Sequence, residues 1–325
     1  MSVMRTTITA LILITAAVSQ ASFDLMLLPD QSSGRIVRFD PINQIQLGSV
    51  NVQTLARSVV ANNSSAPFAY SSGNTGGIKF NYSTGERITS ASFPNGALSL
   101  NHDGSRVYET IGADTVYRYN ANLGFLGNFS SLSMVNTMAV QQYTNDRVVL
   151  IGLNSAGDLI AANHDTIAHA QVGSTVMLVS AANLLAGSTV QGMELTTFNR
   201  GVLTYRASDN STRLMYVAMD AFGGVTGPLS STTVAGYATA TTASTMVLRG
   251  HAGFFVVGTN AAGTGTYITE YAIPFSSATG VYTLNGVTMP TTGRWRATNI
   301  VAPEPGTMVA LGAGLVVLLR RRRKA

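Results

Sequence analysis

The feature of this sequence that most restricts its fold is a β-hairpin pattern that recurs along the chain. Each copy has an apolar run rich in Val, Ile, Tyr and Phe, a short turn of Gly, Ser, Asn or Asp, and a second run of alternating character. Such runs, bounded by turn-forming residues, are typical of short antiparallel strands. A pattern that returns every roughly 40 to 50 residues predicts a repeat architecture. The six copies begin at Phe23, Pro67, Arg106, Arg147, Gly201 and Gly253.

The third copy shows the size of one repeat unit. It is preceded by "ALSL" and the turn "NHDGS" and is followed by "GFLGNF". The unit therefore holds four short strands in about 40 residues, which is the size of one β-propeller blade. We predict an all-β fold for residues 22–302, a β-propeller of about six four-stranded blades. The long stretch Gln171–Val190 leaves room for a seventh blade.

Charge and closure bear on this prediction. Charged residues make up only 11% of the chain, against about 25% in typical globular proteins, which suits blades that are covered on both faces. The first copy lacks a preceding strand, and Gly293–Ile300, "GRWRATNI", is expected to complete its sheet and close the ring. We expect Trp295 in this segment to pack rather than to stack on a ligand. The alternative architecture is a pair of tandem β-sandwiches.

The body of the chain also resembles a known group of folds. The stretches "NHDGSRVY" and "GRIVRFDP" are similar to blade motifs of lactonase-like, NHL-like and YVTN-type β-propellers. Because any turn that leads into an apolar strand produces such a pattern, the resemblance implies the fold and no activity.

The C-terminus differs from the rest of the chain. Pro303, Glu304 and Pro305 are followed by fourteen uncharged residues and then by a run of five cations that starts at Arg320. A helix over Thr307–Leu319 is about 20 Å long at 1.5 Å per residue, short of the roughly 30 Å hydrocarbon core. Snorkelling cations and local thinning of the bilayer accommodate such a segment. We predict a C-terminal transmembrane helix whose cations stay in the cytoplasm while the main body lies across the membrane.

These three parts resemble the PEP-CTERM sorting signal. The resemblance covers residues 303–325 and implies processing by an exosortase-type membrane protease. Carried over by residue, Pro303, Glu304 and Pro305 correspond to the sorting motif. The stop-transfer cluster corresponds to Arg320, Arg321, Arg322 and Arg323.

The N-terminus predicts export as well. Arg5 precedes the apolar run "ITALILITAAV", and "SQA" supplies the small residues that a signal peptidase reads. Residues 1–21 are therefore predicted to be a signal peptide that is cleaved after Ala21. The chain has no cysteine, so the exported domain depends on its core rather than on disulfides.

Charge argues against nucleic acid as a partner. Without Arg5, Glu304 and the five terminal cations, the chain carries fourteen residues of each sign. The net charge of +5 is therefore a property of the ends, whereas a nucleic-acid-binding domain needs excess positive charge on its own surface.

Candidate catalytic and metal-binding residues are few. His102 and His164 lie in similar tripeptides, Asn-His-Asp, which we interpret as Asx-type turns on different sides of the ring. Four aspartates in or beside the hairpin turns could hold a cation or a water, but Asp is also a common turn former and two copies lack it. These residues are Asp30, Asp114, Asp158 and Asp209. We assign no catalytic residue, metal ligand or cofactor.

Two functions remain open at this stage. In the first, the chain is an exported, non-catalytic β-propeller that is held briefly in the inner membrane and then reaches the cell surface or extracellular matrix. There it binds exopolysaccharide or envelope proteins. In the second, it is an extracellular hydrolase or lyase with a metal in the central channel. Fold alone does not separate a scaffold from an enzyme, and the sequence favours the scaffold because its repeats place no equivalent His, Asp or Glu on one rim.

Overall fold

Six four-stranded antiparallel sheets make up the described part of the chain. A computed structural model describes residues 22–30, 33–52, 55–61, 67–101, 104–112, 114–144, 147–190, 192–196, 200–238, 245–249, 253–272, 280–287, 289 and 296–303. Within these ranges the helical structure is a 3₁₀ turn, Ala181–Asn183. None of the described helical structure is long and apolar enough to cross a membrane.

The sheets follow one another along the chain as blades 1 to 6. Blade 1 contains β1 (Ser22–Asp30), β2 (Arg35–Asp40), β3 (Ile45–Val50) and the last strand, β24 (Thr298–Pro303). Blade 2 contains β4 (Ala56–Ala61), β5 (Phe68–Gly73), β6 (Gly76–Asn81) and β7 (Arg87–Ala91). Blade 3 contains β8 (Ala97–Leu100), β9 (Arg106–Thr110), β10 (Thr115–Asn120) and β11 (Phe125–Ser130).

The second half repeats this arrangement. Blade 4 contains β12 (Asn136–Thr144), β13 (Arg147–Leu153), β14 (Leu159–Asp165) and β15 (Gln171–Val179). Blade 5 contains β16 (Met193–Thr196), β17 (Arg200–Arg206), β18 (Thr212–Met219) and β19 (Val225–Val234). Blade 6 contains β20 (Thr245–Arg249), β21 (Gly253–Thr259), β22 (Gly265–Ala272) and β23 (Gly280–Asn285).

The innermost strands form a closed ring. β24, β4, β8, β12, β16 and β20 contact one another in this order, and β20 returns to β24. The prediction of six blades is confirmed, since each of the six repeated hairpins supplies the second and third strands of one blade. The stretch 171–190 adds an outer strand to blade 4 rather than a seventh blade, and the tandem-sandwich alternative is wrong because no two sheets form an isolated pair.

The ring is closed by the last strand, as predicted, but at a different position. β24 covers Thr298–Pro303 and pairs with β1 from Leu27 to Ser22, whereas the sequence prediction ended at Ile300. Residues 293–295, including Trp295, lie outside the described residues. Pro303 is the last residue of β24, which is an edge strand of its sheet, and edge strands tolerate proline.

The middle strands of the blades are largely buried, and β1 is buried on both faces. In β1, Leu25 and Leu27 pack against blade 2, while Met26 and Leu28 pack against blade 6. Side chains alternate between the two faces of a strand, so a run such as "LMLL" supplies two separate interfaces. Six apolar clusters result, one between each pair of neighbouring blades. This packing explains the low fraction of charged residues.

The blade topology gives the ring two distinct faces. The turns between second and third strands lie on one side, which we call the hairpin face. The turns between third and fourth strands lie on the other side with the chain ends Ser22 and Pro303, and we call this the terminal face. All blades have the same orientation, as the parallel bridge between Ser58 and Arg296 shows for blades 1 and 2.

An Asx turn recurs on the terminal face. In five blades, an Asp or Asn at the end of the third strand accepts a hydrogen bond from the backbone N–H two residues later, at 2.7 to 2.9 Å. Side-chain acceptors of this kind fix tight turns. The corresponding position in blade 6 lies outside the described residues. The five residues are Asp40, Asn81, Asn120, Asp165 and Asp220.

Candidate functional site

A buried ion pair lies at the centre of the ring. Arg296, just before β24, is 5% exposed and donates a hydrogen bond from its guanidinium to Glu194 Oε1 of β16. The same guanidinium lies 3.4 and 3.5 Å from Gln141 Oε1 of β12. Gly192 permits this approach, since a Cβ there would lie 3.3 Å from Arg296 Nε. Blades 1, 4 and 5 thus meet through one side chain.

The neighbouring inner strands join the same cluster. Ser99 Oγ of β8 donates to Gln141 Oε1 at 3.2 Å, and the Arg296 carbonyl accepts from the Val59 N–H of β4 at 2.9 Å. Five of the six blades therefore contribute to one polar network. Because Glu194 is already engaged by a cation, the arrangement neutralises charge and fixes the closing segment. We call these residues, Arg296, Glu194, Gln141, Ser99 and Val59, the central cluster.

Sequence reasoning did not find the central cluster. Arg296 was placed inside the closing strand, whereas the structure puts it before that strand, where its backbone bridges to Ser58 of blade 2. Its partner Glu194 lies 102 positions earlier in the chain. The available signal was the rarity of charge in the predicted inner strands, where a lone Arg and a lone Glu require partners.

A buried carboxyl lies between blades 2 and 3. Glu109 of β9 is fully buried, and its Oε1 accepts a hydrogen bond from the Gly96 N–H at 2.9 Å. The Tyr119 hydroxyl donates to its Oε2 at 3.4 Å. Burial raises the pKa of Glu109 to about 8, against the opposing effect of these two hydrogen bonds. The carboxyl is therefore protonated at neutral pH.

Replacing Glu109 should change how stability depends on pH. A carboxyl with a raised folded-state pKa binds its proton more tightly in the folded state, so the wild type loses stability as pH rises from about 4.5 to about 8. We expect Glu109→Gln, which keeps the acceptor for Gly96, to remove this loss. The difference in free energy of unfolding from the wild type should grow by up to about 1.4 kcal/mol per pH unit. Urea denaturation at several pH values measures it.

The control for this experiment is Glu86→Gln, which removes one exposed carboxylate from blade 2. It separates the effect of burial from the effect of lost charge. A Glu109→Gln advantage that stays constant from pH 5 to pH 8 would contradict the raised pKa.

A second buried polar group lies between blades 3 and 4, near the terminal face. His164 is 2% exposed, and neither ring nitrogen has a partner among the described residues. Its ring centroid lies 5.8 Å from that of Phe129. Burial lowers the pKa of His164, so the ring is neutral at physiological pH. Nearby, Arg118 donates to His169 Nε2 at 3.1 Å.

The four predicted turn aspartates have local partners. Asp30 accepts from the Ser33 hydroxyl at 2.6 Å, and Asp114 accepts from Thr115 at 3.1 Å. Asp158 accepts from the Ala181 N–H and from Asn154, and these hydrogen bonds lower its pKa. Asp209 accepts from Ser211 and pairs with Arg213 at 2.9 Å, which lowers its pKa further. They lie on the hairpin face in four different blades, where each stabilises its own turn.

Asn101, the described residue of the first Asn-His-Asp tripeptide, lies on the same face of the ring as Asn163–Asp165, so the expectation of opposite sides was wrong. Asn101 follows β8 and accepts from the Arg106 N–H, whereas His102 and Asp103 lie outside the described residues. Asn163 links blade 4 to blade 5 through two hydrogen bonds with the Val225 backbone. The error arose because "ALSL" was taken as part of the outer strand pair, whereas β8 is innermost.

Within the described ranges, no three or more His, Asp or Glu side chains are grouped closely enough to hold a metal ion. His251 lies outside these ranges.

The predicted sorting and processing residues lie at the end of the propeller. Pro303 is the last residue of β24, and its backbone is opposite Ser22, which follows the predicted signal-peptide cleavage site. The other positions lie outside the described residues. These are Ala21, Glu304, Pro305, the apolar segment 307–319 and Arg320, Arg321, Arg322 and Arg323.

Comparison with known proteins gives different results for the C-terminal segment and for the propeller. Residues 301–324 match a family described as the PEP-CTERM protein-sorting motif. A search of curated protein sequences gives no match to the chain.

Solved structures share the fold of the body. A functionally unknown protein from Desulfotomaculum acetoxidans superposes with a TM-score of 0.54 at 11% identity, over 84% of this chain and 86% of that one. Hydrazine synthase of Kuenenia stuttgartiensis gives 0.52 at 11%, over 77% and 76%. The WD40 repeats of RRP9 give 0.53 at 8%, over 82% of each chain. At these identities the likeness establishes the fold alone.

The protein is a six-bladed β-propeller that ends in a PEP-CTERM protein-sorting motif, which implies export and sorting by an exosortase.

Proposed function

We propose that this protein is an exported, non-catalytic scaffold of the cell surface or extracellular matrix, sorted by an exosortase-type protease. On this proposal the signal peptide of residues 1–21 is removed, the segment after Pro303 holds the protein briefly in the inner membrane, and processing at the sorting motif releases the propeller. The propeller then presents its loops to exopolysaccharide or to other envelope proteins. This role requires a stable fold and a sorting signal.

The observation that carries this proposal is the continuity of the sorting motif with the fold. The matched region begins at residue 301, inside the strand that closes the ring. The sorting motif is therefore continuous with the last strand of the propeller and does not follow a separate domain or a long linker. The exosortase would therefore act on the propeller domain itself, close to its last strand.

The polar groups of the described residues support a scaffold rather than an enzyme. Glu194, an acidic side chain of the inner strands, is bound by Arg296. The hairpin-face aspartates Asp114, Asp158 and Asp209 make hydrogen bonds within their own turns, and Asp158 also accepts a hydrogen bond from the Ala181 N–H. A hydrolase would need several such groups to converge on one reacting atom.

The experiment follows a tagged form of the chain in a host that has an exosortase. The variant Pro303→Ala/Glu304→Ala/Pro305→Ala should accumulate unprocessed in the membrane, while the wild type is converted to a shorter released form. The control Pro303→Ala alone tests whether β24 tolerates the change, by thermal denaturation. Identical processing of wild type and triple variant would refute the assigned motif.

The released wild-type form then tests the scaffold. We expect it to retain exopolysaccharide on a glycan array and to contain no stoichiometric metal by elemental analysis. Stoichiometric calcium or zinc, lost together with a hydrolytic activity in Asp114→Asn or Asp158→Asn, would overturn the scaffold in favour of an enzyme.

A further inference from the structure

Three large apolar side chains are exposed at equivalent positions on the terminal face. Each follows the recurrent Asx-turn residue by two positions: Ile42 after Asp40, Ile167 after Asp165 and Phe222 after Asp220. Their exposed fractions are 40%, 78% and 61%. Turn tips are normally polar, so three apolar tips in one structural position are unusual. We call them the apolar tips.

The apolar tips are not confined to one rim of the propeller. They belong to blades 1, 4 and 5, and in a six-bladed ring blades 1 and 4 lie opposite each other. The tips therefore flank the axis on both sides. The equivalent positions in blades 2 and 3 are the polar Ser83 and Asn122.

The chain leaves the propeller from the same face. Pro303 ends the innermost strand beside the axis, and three residues separate it from Thr307, the start of the predicted membrane segment. Four Cα-to-Cα steps span at most about 14 Å. The headgroup layer of one leaflet is roughly 5 to 8 Å thick. A tether this short, attached at the centre of a face, holds that whole face against the bilayer.

We propose that the terminal face rests on the lipid surface while the chain is anchored, with Ile42, Ile167 and Phe222 inserted into the interfacial layer. This inference rests on the membrane-anchored stage of the proposed function. It leaves the hairpin face directed away from the membrane, so that the hairpin turns are what the anchored propeller offers to partners.

The surroundings of Phe222 fit an interfacial position. The Arg147 guanidinium lies 5.2 Å from the centre of the Phe222 ring and pairs with Asp220 at 2.8 Å. Aromatic side chains with a cation beside them suit the boundary between acyl chains and headgroups. The side chains need only a shallow insertion, since interfacial apolar groups reach about 5 to 10 Å into the boundary.

The absence of cysteine makes a direct test possible. Single variants Ile167→Cys and Phe222→Cys report on the terminal face, and Ala156→Cys and Ala262→Cys report on hairpin-face turns as matched controls. Each is made in the precursor that retains residues 304–325, labelled with an environment-sensitive fluorophore, and reconstituted into phosphatidylcholine–phosphatidylglycerol vesicles. A second set of vesicles contains lipids with a spin label near the headgroup, which quenches fluorophores in the interfacial layer.

We expect the labels at positions 167 and 222 to lose fluorescence by roughly twofold or more, because the quencher lies in the layer that interfacial groups enter. The labels at 156 and 262 should change little. Protein that floats with the vesicles but shows no quenching at 167 and 222, or equal quenching at all four positions, would overturn the membrane-facing surface alone. Protein that does not float with the vesicles would overturn both this inference and the anchored stage of the proposed function.

Discussion

Deleting the closing strand is expected to unfold the entire propeller. A chain that ends at Ala297 lacks Thr298–Pro303, the strand that pairs with β1 over six residues. The ladder hydrogen bonds between β1 and this strand, each worth about 0.5 to 1.5 kcal/mol net, are then lost together with the contacts of β24 with β4 and β20 that close the ring. Since total stabilities are about 5 to 15 kcal/mol, loss of several such bonds exceeds what the fold can tolerate. Thermal denaturation followed by circular dichroism measures the effect.

The matched control is a chain that ends at Pro303 and keeps β24. It should melt in one cooperative transition, because all six blades share one closure. If the chain ending at 297 melts at the same temperature as the chain ending at 303, the register between β1 and β24 would be wrong. Two separate transitions in the longer chain would indicate blades that fold independently.

The number and nature of the blades could be predicted from the sequence. Strands such as β1 are covered on both sides, so their apolar residues form unbroken runs that stand out against the polar turns. The stretch "GRIVRFDP", which resembles known propeller motifs, contains Asp40, the Asx-turn residue that ends β2. Local patterning was sufficient because each hairpin is local in the chain.

The features that depend on the ring could not be predicted in the same way. The closing strand pairs residues nearly 280 positions apart, and its apolar pattern continues into the segment assigned to sorting, so its end was placed at Ile300 instead of Pro303. The tripeptide at Asn101 was assigned to the wrong side of its blade because inner and outer strands look alike in sequence. Apolar exposure at Ile167 and Phe222 also becomes apparent only when the turns are placed on a face.

Arg296→Met should be the most damaging single substitution in the channel. It removes one partner of a buried ion pair and leaves the Glu194 carboxylate with little solvent. Breaking such a pair typically costs about 3 to 5 kcal/mol, because the remaining charge is buried without compensation. We expect a fall of this size in the free energy of unfolding by urea denaturation.

The double variant Arg296→Met/Glu194→Met separates the two contributions to this loss. If most of the lost stability comes from the unpaired, buried Glu194 carboxylate, the double variant should be more stable than Arg296→Met alone. Replacing both members of a buried ion pair by apolar residues often leaves stability unchanged or raises it. A double variant as unstable as the sum of the two single ones would mean that the pair is not coupled and that the central cluster does not fix the closing segment. If the double variant regains stability, Arg296 and Glu194 are an ion pair that closes the ring and in which each charge neutralises the other. In such a pair the Glu194 carboxylate serves Arg296 and the closure of the ring.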